Sequence, residues 1–155
     1  MGKNTSVIST IAGLLLLLIS VYTYGSGGQK GLEGSFNPDL NFAQIEYVKA
    51  MESSNGLWRF DVTVRHNDEG WDHYADAWQV VDPQSGKILT VRVLAHPHET
   101  EQPFTRSQSG VKVPDGLTRV LVQAKCNVHG FGGSVILVDL SQSEGDDYQV
   151  QRRGD

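Results

Sequence analysis

Residues 57–65 alternate without a break: Trp58, Phe60, Val62 and Val64 fall on one side, and Arg59, Asp61 and Thr63 on the other. A period of two gives a strand one buried and one wet face, and a helix would scatter the same residues around its circumference. The pattern recurs over 45–52, 74–81, 88–94, 117–126 and 134–140, with turn sequences such as Asp82-Pro-Gln-Ser-Gly86 and Pro114-Asp-Gly116 between the segments. In 117–126 the apolar side is Val120, Val122, Ala124 and Cys126. Residues 111–113 read as a short strand, and 96–110, polar and without a period, as the longest loop.

Seven or so short strands with regular turn signals and no amphipathic helix predict an all-β fold, an antiparallel immunoglobulin-like β-sandwich. The domain is expected over residues 43–141, followed by a frayed polar tail over 142–155. Trp71, Tyr74 and Trp78 are expected in the core or at its edge, and Gly130, Gly132 and Gly133 are expected to serve positive φ in a hairpin.

Ahead of the sandwich, residues 7–24 carry no charge and include the run Leu14 to Leu18, with Lys3 before it. Such a stretch forms an apolar helix that serves as a signal peptide or a membrane anchor, over residues 1–25. Tyr22 and Tyr24 at its outer end suit an interfacial anchor. Either reading exports the remainder to the periplasm or cell envelope, in the second case held at the inner membrane. Residues 26–42, rich in Gly, Ser, Asn and Pro, form a flexible linker. The chain has one cysteine, Cys126, so no intramolecular disulfide forms, and no cysteine follows the apolar run to carry a bacterial lipid anchor. Without Lys3 the exported part has twelve basic against eighteen acidic residues, a formal charge of −6. That balance argues against nucleic acid as a partner. A membrane contact through the uncleaved N-terminus and an envelope protein partner remain compatible with it.

The chemistry-bearing residues cluster. All five histidines, His66, His73, His96, His98 and His129, lie at predicted strand ends or in loops. Cys126 and His129 form a Cys-x-x-His pair across the start of a hairpin, and imidazole with thiolate suits Fe, Cu or Zn. His66 and His73 bracket a loop that can bend both rings round one centre, and His96-Pro-His98 offers a second pair. An unpaired thiol outside the cytoplasm needs either burial or a metal. Both remain open here, because Cys126 continues the inward face of its strand. No nucleophile elbow or phosphate-binding loop is present, and no catalytic residue is assigned. Asp72, Asp76, Glu99 and Glu101 are the acids considered for acid–base work.

Cys126-Asn-Val-His-Gly130 at a strand end resembles the C-terminal signature of superoxide reductases and the desulfoferrodoxin iron domain. The resemblance implies a mononuclear iron with Cys126 as axial thiolate, and His129, His66 and His73 as equatorial imidazoles. The His66–His73 pair, followed by Tyr-Ala-Asp-Ala-Trp78, sits in a similar place to that family's histidine pair, with one residue more between them. The family's upstream ligand has no counterpart, since residues 26–65 contain no histidine. Superoxide is an anion, so approach to an acidic domain asks for a local positive field from Arg65 or Lys125. The blocks Gly70-Trp-Asp-His-Tyr-Ala-Asp76, His96-Pro-His98 with Glu101-Gln-Pro-Phe-Thr-Arg-Ser107, and His129-Gly-Phe-Gly-Gly133 also resemble an uncharacterised family of small exported bacterial proteins. Cys126-x-x-His129 matches part of a cupredoxin copper site, but no methionine follows it. Two functions are therefore expected from the sequence. One is an exported sandwich that binds iron or copper through His66, His73, Cys126 and His129, with His96 and His98 as further candidates. The other is a metal-free immunoglobulin-like envelope module.

Overall fold

The computed structural model describes residues 40–154. The N-terminal apolar helix and most of the linker expected above lie outside the described residues. Ten strands follow in order: β1 (Gln44–Glu52), β2 (Trp58–Arg65), β3 (Ala75–Val81), β4 (Ile88–Val93), β5 (Phe104–Val111), β6 (Arg119–Cys126), β7 (Gly130–Phe131), β8 (Ile136–Asp139), β9 (Glu144–Gly145) and β10 (Tyr148–Gln151). They form two sheets and no helix among the described residues, so the all-β sandwich is present. One sheet has the order β5-β2-β1-β10-β9, and the other β4-β3-β6 with β7 and β8 along the far side of β6.

The alternating residues do what their period requires. Phe60, Val62 and Val64 of β2 are fully buried, as are Val120 and Val122 of β6, and Trp78 of β3 is the largest side chain between the sheets. Cys126, at the end of β6, is 1% exposed.

Three expectations change. The polar segment at 96–110 contains β5, which pairs antiparallel with β2. Its apolar period is missing because Arg106 and Gln108 pair with Val62 and Phe60, leaving only Phe104 and Val111 buried. A bulge then follows between the Phe60–Gln108 and Trp58–Val111 pairs, where Gly110 takes φ +75° at no steric cost. The expected frayed tail instead forms β9 and β10. Tyr148–Gln151 pairs with Val48–Met51 of β1, and Val150 is 3% exposed. That pairing is parallel, so the sandwich is not wholly antiparallel and reaches beyond residue 141. Trp71 is the third change: it is 66% exposed, outside the core, with its ring edge to face with Tyr74.

The strand ends carry the candidate site. The start of β1 pairs with the end of β2 (Gln44 with Arg65), and the start of β3 with the end of β6 (Ala75 with Cys126). His66, His73 and the 127–129 hairpin therefore all emerge at one end of the sandwich.

Candidate metal centre

His66 is the first residue beyond β2 and is 1% exposed. Its Nδ1 lies 2.6 Å from Asp68 Oδ1, with both side chains fully buried. Asp68 also accepts hydrogen bonds from the Ala75 amide at 3.0 Å and the His98 amide at 2.6 Å. Burial pushes the Asp68 carboxyl up, but the His66 hydrogen bond and the two amides outweigh it and hold the group below its ordinary value. An ionised carboxylate can only accept, so Nδ1 of His66 donates to it, while Nε2 on the other side of the ring lies 3.3 Å from the Asn41 carbonyl, its second hydrogen-bond partner. His73 repeats the arrangement from the same loop. Its Nδ1 meets Glu69 Oε2 at 2.9 Å, and its Nε2 is buried without a hydrogen-bond partner.

Asn127 brings the second loop against the first. Its side-chain oxygen accepts from the Tyr74 amide at 2.9 Å, and its side-chain nitrogen donates to the Trp71 and Asp72 carbonyls at 3.1 and 3.3 Å. This clamp holds the 66–74 loop beside the end of β6. The result is convergence: one ligand atom each from His66, His73 and Cys126 lie within 4.8 Å of one another. The His66 and His73 rings meet edge to face at 4.7 Å, and His73 meets His129 at 4.9 Å.

His129 stands at the rim and is exposed. Its amide donates to Cys126 Sγ at 3.1 Å, and its Nδ1 lies 3.5 Å from the same sulfur. Gly130 permits the turn with φ +70°. Gly132 and Gly133 do not have positive φ, contrary to expectation; they are small to leave room. A Cβ on Gly132 would run into the Phe42 ring, and one on Gly133 into the Ala43 carbonyl. Residues 40–44 thus cover the hairpin, fixed by buried Gln44, which donates to the Phe42 carbonyl and accepts from the Ser134 amide.

His96 and His98 do not join this group. His98 is 4% exposed and stacks on Phe104 at 3.8 Å with an interplanar angle of 11°. Its contribution to the centre is its amide, which anchors Asp68 and through it orients His66. Both its ring nitrogens are buried without hydrogen bonds. Burial pushes the His98 pKa down, Arg106 and His96 push the same way, and Asp68 and Glu101 oppose them. The unfolded chain then takes up this proton first as pH falls. Stability from neutral His98 is complete above about pH 6.5, its ordinary pKa, and is lost below it. In urea unfolding of metal-free protein, the stability difference between wild type and His98→Gln should therefore shrink from pH 7.5 to pH 5.5. An unchanged difference would contradict this assignment.

Two of the four acids considered in the sequence are paired elsewhere: Asp76 with Lys125 at 2.6 Å and Glu101 with Arg106 at 2.8 Å. Arg65 likewise pairs with Glu46 at 2.6 Å, so both cations considered for a local positive field face carboxylates. The residues that sequence reasoning missed are Asp68, Glu69 and Asn41. A signal existed for the first two, in the spacings His66-x-Asp68 and Glu69-x-x-x-His73. A groove of about 860 Å³ elsewhere, bounded by Ile45, Leu137 and Tyr148, includes none of these residues.

The chain is 41% identical over 101 residues to a protein of Halomicrobium mukohataei described as a "Putative lipoprotein". The match takes in 65% of this chain and 49% of that protein, so the chain spans about half the length of this relative. No family model matches the chain, and no solved structure matches it.

Proposed function

We propose that this protein works outside the cytoplasm, associated with the cell envelope, and holds one iron or copper ion between His66, His73 and Cys126, with His129 reaching it from the hairpin rim. The observation that carries the reading is convergence: one ligand atom each of His66, His73 and Cys126 lie within 4.8 Å of one another. Carboxylates meet Nδ1 of both imidazoles, so Nε2 is the atom each ring can turn to a metal. His73 Nε2 is buried without a hydrogen-bond partner, which costs free energy that a bound cation relieves. Carboxylate–histidine pairs of this kind orient metal-binding imidazoles and raise their basicity. Thiolate with imidazole suits iron or copper, and such an ion supplies one-electron chemistry when bound.

The leucine-rich run at 14–18 and the printed name of the Halomicrobium relative both support a place at the envelope. We read the strand order, β5-β2-β1 against β4-β3-β6-β8, as immunoglobulin-like. The Cys-Asn-x-His-Gly hairpin supports a superoxide-reductase-like reaction as the finer reading. The paired state of Arg65 and Lys125 and the lack of a further histidine weigh against it.

Asp68→Asn tests the reading through a residue that is not itself a ligand. The amide keeps the side chain's shape but turns one acceptor into a donor, facing either His66 Nδ1–H or the His98 amide. Copper(II) and iron(II) affinity, measured by chelator competition, should fall about 10–100-fold. Glu69→Gln, at an exposed carboxylate, should cost less. Wild-type affinity in a folded Asp68→Asn protein would sink the proposal.

A further inference from the structure

We infer that the backbone carbonyl of Asn41 is a fourth, weak donor to the ion held by His66, His73 and Cys126, which makes the centre a copper geometry; this rests on the reading of the site proposed above. The Asn41 oxygen lies 3.3 Å from His66 Nε2 and 3.4 Å from Cys126 Sγ, whose thiol donates to it. It therefore stands beside ligand atoms of two of the three residues that converge within 4.8 Å. Both contacts are hydrogen bonds in the metal-free protein, and a metal that takes Nε2 and Sγ displaces their protons and leaves the carbonyl oxygen beside it. Four electron-pair donors are then grouped together: two imidazole nitrogens, a thiolate and this oxygen. Two imidazoles and a thiolate with a long axial oxygen are a donor set that suits copper(II).

The local backbone supports the assignment independently. Leu40, just before Asn41, has φ +50°, a left-handed conformation that a branched side chain rarely adopts. Its carbonyl accepts from the Asn67 amide at 3.2 Å, next to His66, so the bend is tied to the ligand loop. Non-glycine residues persist in that region only where the surroundings over-determine them, and such residues cluster at functional sites. Phe42 follows and lies over the His129 ring at 5.5 Å. The segment thus brings a donor and an apolar cover to the same face.

Two substitutions at residue 40 separate backbone conformation from ligand chemistry. Glycine adopts φ +50° without penalty, while proline is locked near −65° and must re-aim the following peptides. The full chain is loaded with copper(II), and affinity is read by chelator competition and geometry by electron paramagnetic resonance. Leu40→Gly should bind within about twofold of wild type with the same spectrum. Leu40→Pro should retain the sulfur-to-copper absorption but lose at least tenfold in affinity and change its copper hyperfine splitting. A folded Leu40→Pro protein with wild-type affinity and spectrum overturns the inference while leaving the His/Cys site standing. A wild type that takes up iron but not copper overturns the inference alone, and one that takes up neither metal overturns both. Should Leu40→Pro fail to fold, a crystal structure of the copper-loaded wild type decides: the Asn41 oxygen in the coordination sphere supports the inference, and its absence from that sphere overturns it.

Discussion

Cys126→Ser should abolish the sulfur charge-transfer absorption of the iron- or copper-loaded protein and lower metal affinity at least a hundredfold, with the fold intact. A serine hydroxyl does not ionise near neutral pH and is a hard, weak donor, so the soft ligand that distinguishes this centre disappears. The fold should tolerate the change because the sulfur's contacts are ones a hydroxyl can make: donation to the Asn41 carbonyl and acceptance from the His129 amide. Burial of a hydroxyl with both partners present costs on the order of 1 kcal/mol. Chelator competition with circular dichroism on the same samples checks both halves. Wild-type metal affinity in Cys126→Ser would show that the thiol is a core residue and nothing more.

Gly133→Ala should be the most damaging single-methyl change near the site. The new Cβ would collide with the Ala43 carbonyl, and both backbones are held in place. Ile45 N donates to the Ser134 carbonyl at 3.0 Å, and the Ser134 amide donates to Gln44 Oε1 at 2.7 Å. Relief requires the 40–44 segment to lift from the hairpin. Overpacking of that sort costs typically about 1–3 kcal/mol. For a domain of this size it should lower Tm by roughly 10 °C. Gly132→Ala meets only the Phe42 ring, which can rotate, and should cost less. Thermal unfolding of the two variants gives the ranking, and a Gly133→Ala protein as stable as wild type would contradict the described packing.

The strands that pack one clean face were legible: β2 and β6 end at Arg65 and Cys126, as their alternation says. Polar composition hid both β5 and β10: Arg106 and Gln108 pair with buried Val62 and Phe60, and only Val150 is buried on β10. At the site, residue types marked His66, His73, Cys126 and His129, but convergence depends on which strand ends share one end of the sandwich, and that is a property of topology. His96 and His98 carry the same residue type with a different outcome, since a ring stacked on Phe104 has no route to the cluster. Asn41 was invisible for a simpler reason: a backbone carbonyl has no signature in a sequence.

The most direct test is elemental analysis of the full-length chain, purified without a histidine tag and without chelator, together with its visible spectrum before and after copper(II) or iron(II) is added. The account requires one equivalent of iron or copper per chain, bound as isolated or after loading, with an absorption band from sulfur. Protein that takes up neither metal and develops no band would contradict it, and would leave a metal-free envelope module whose histidines fix loops.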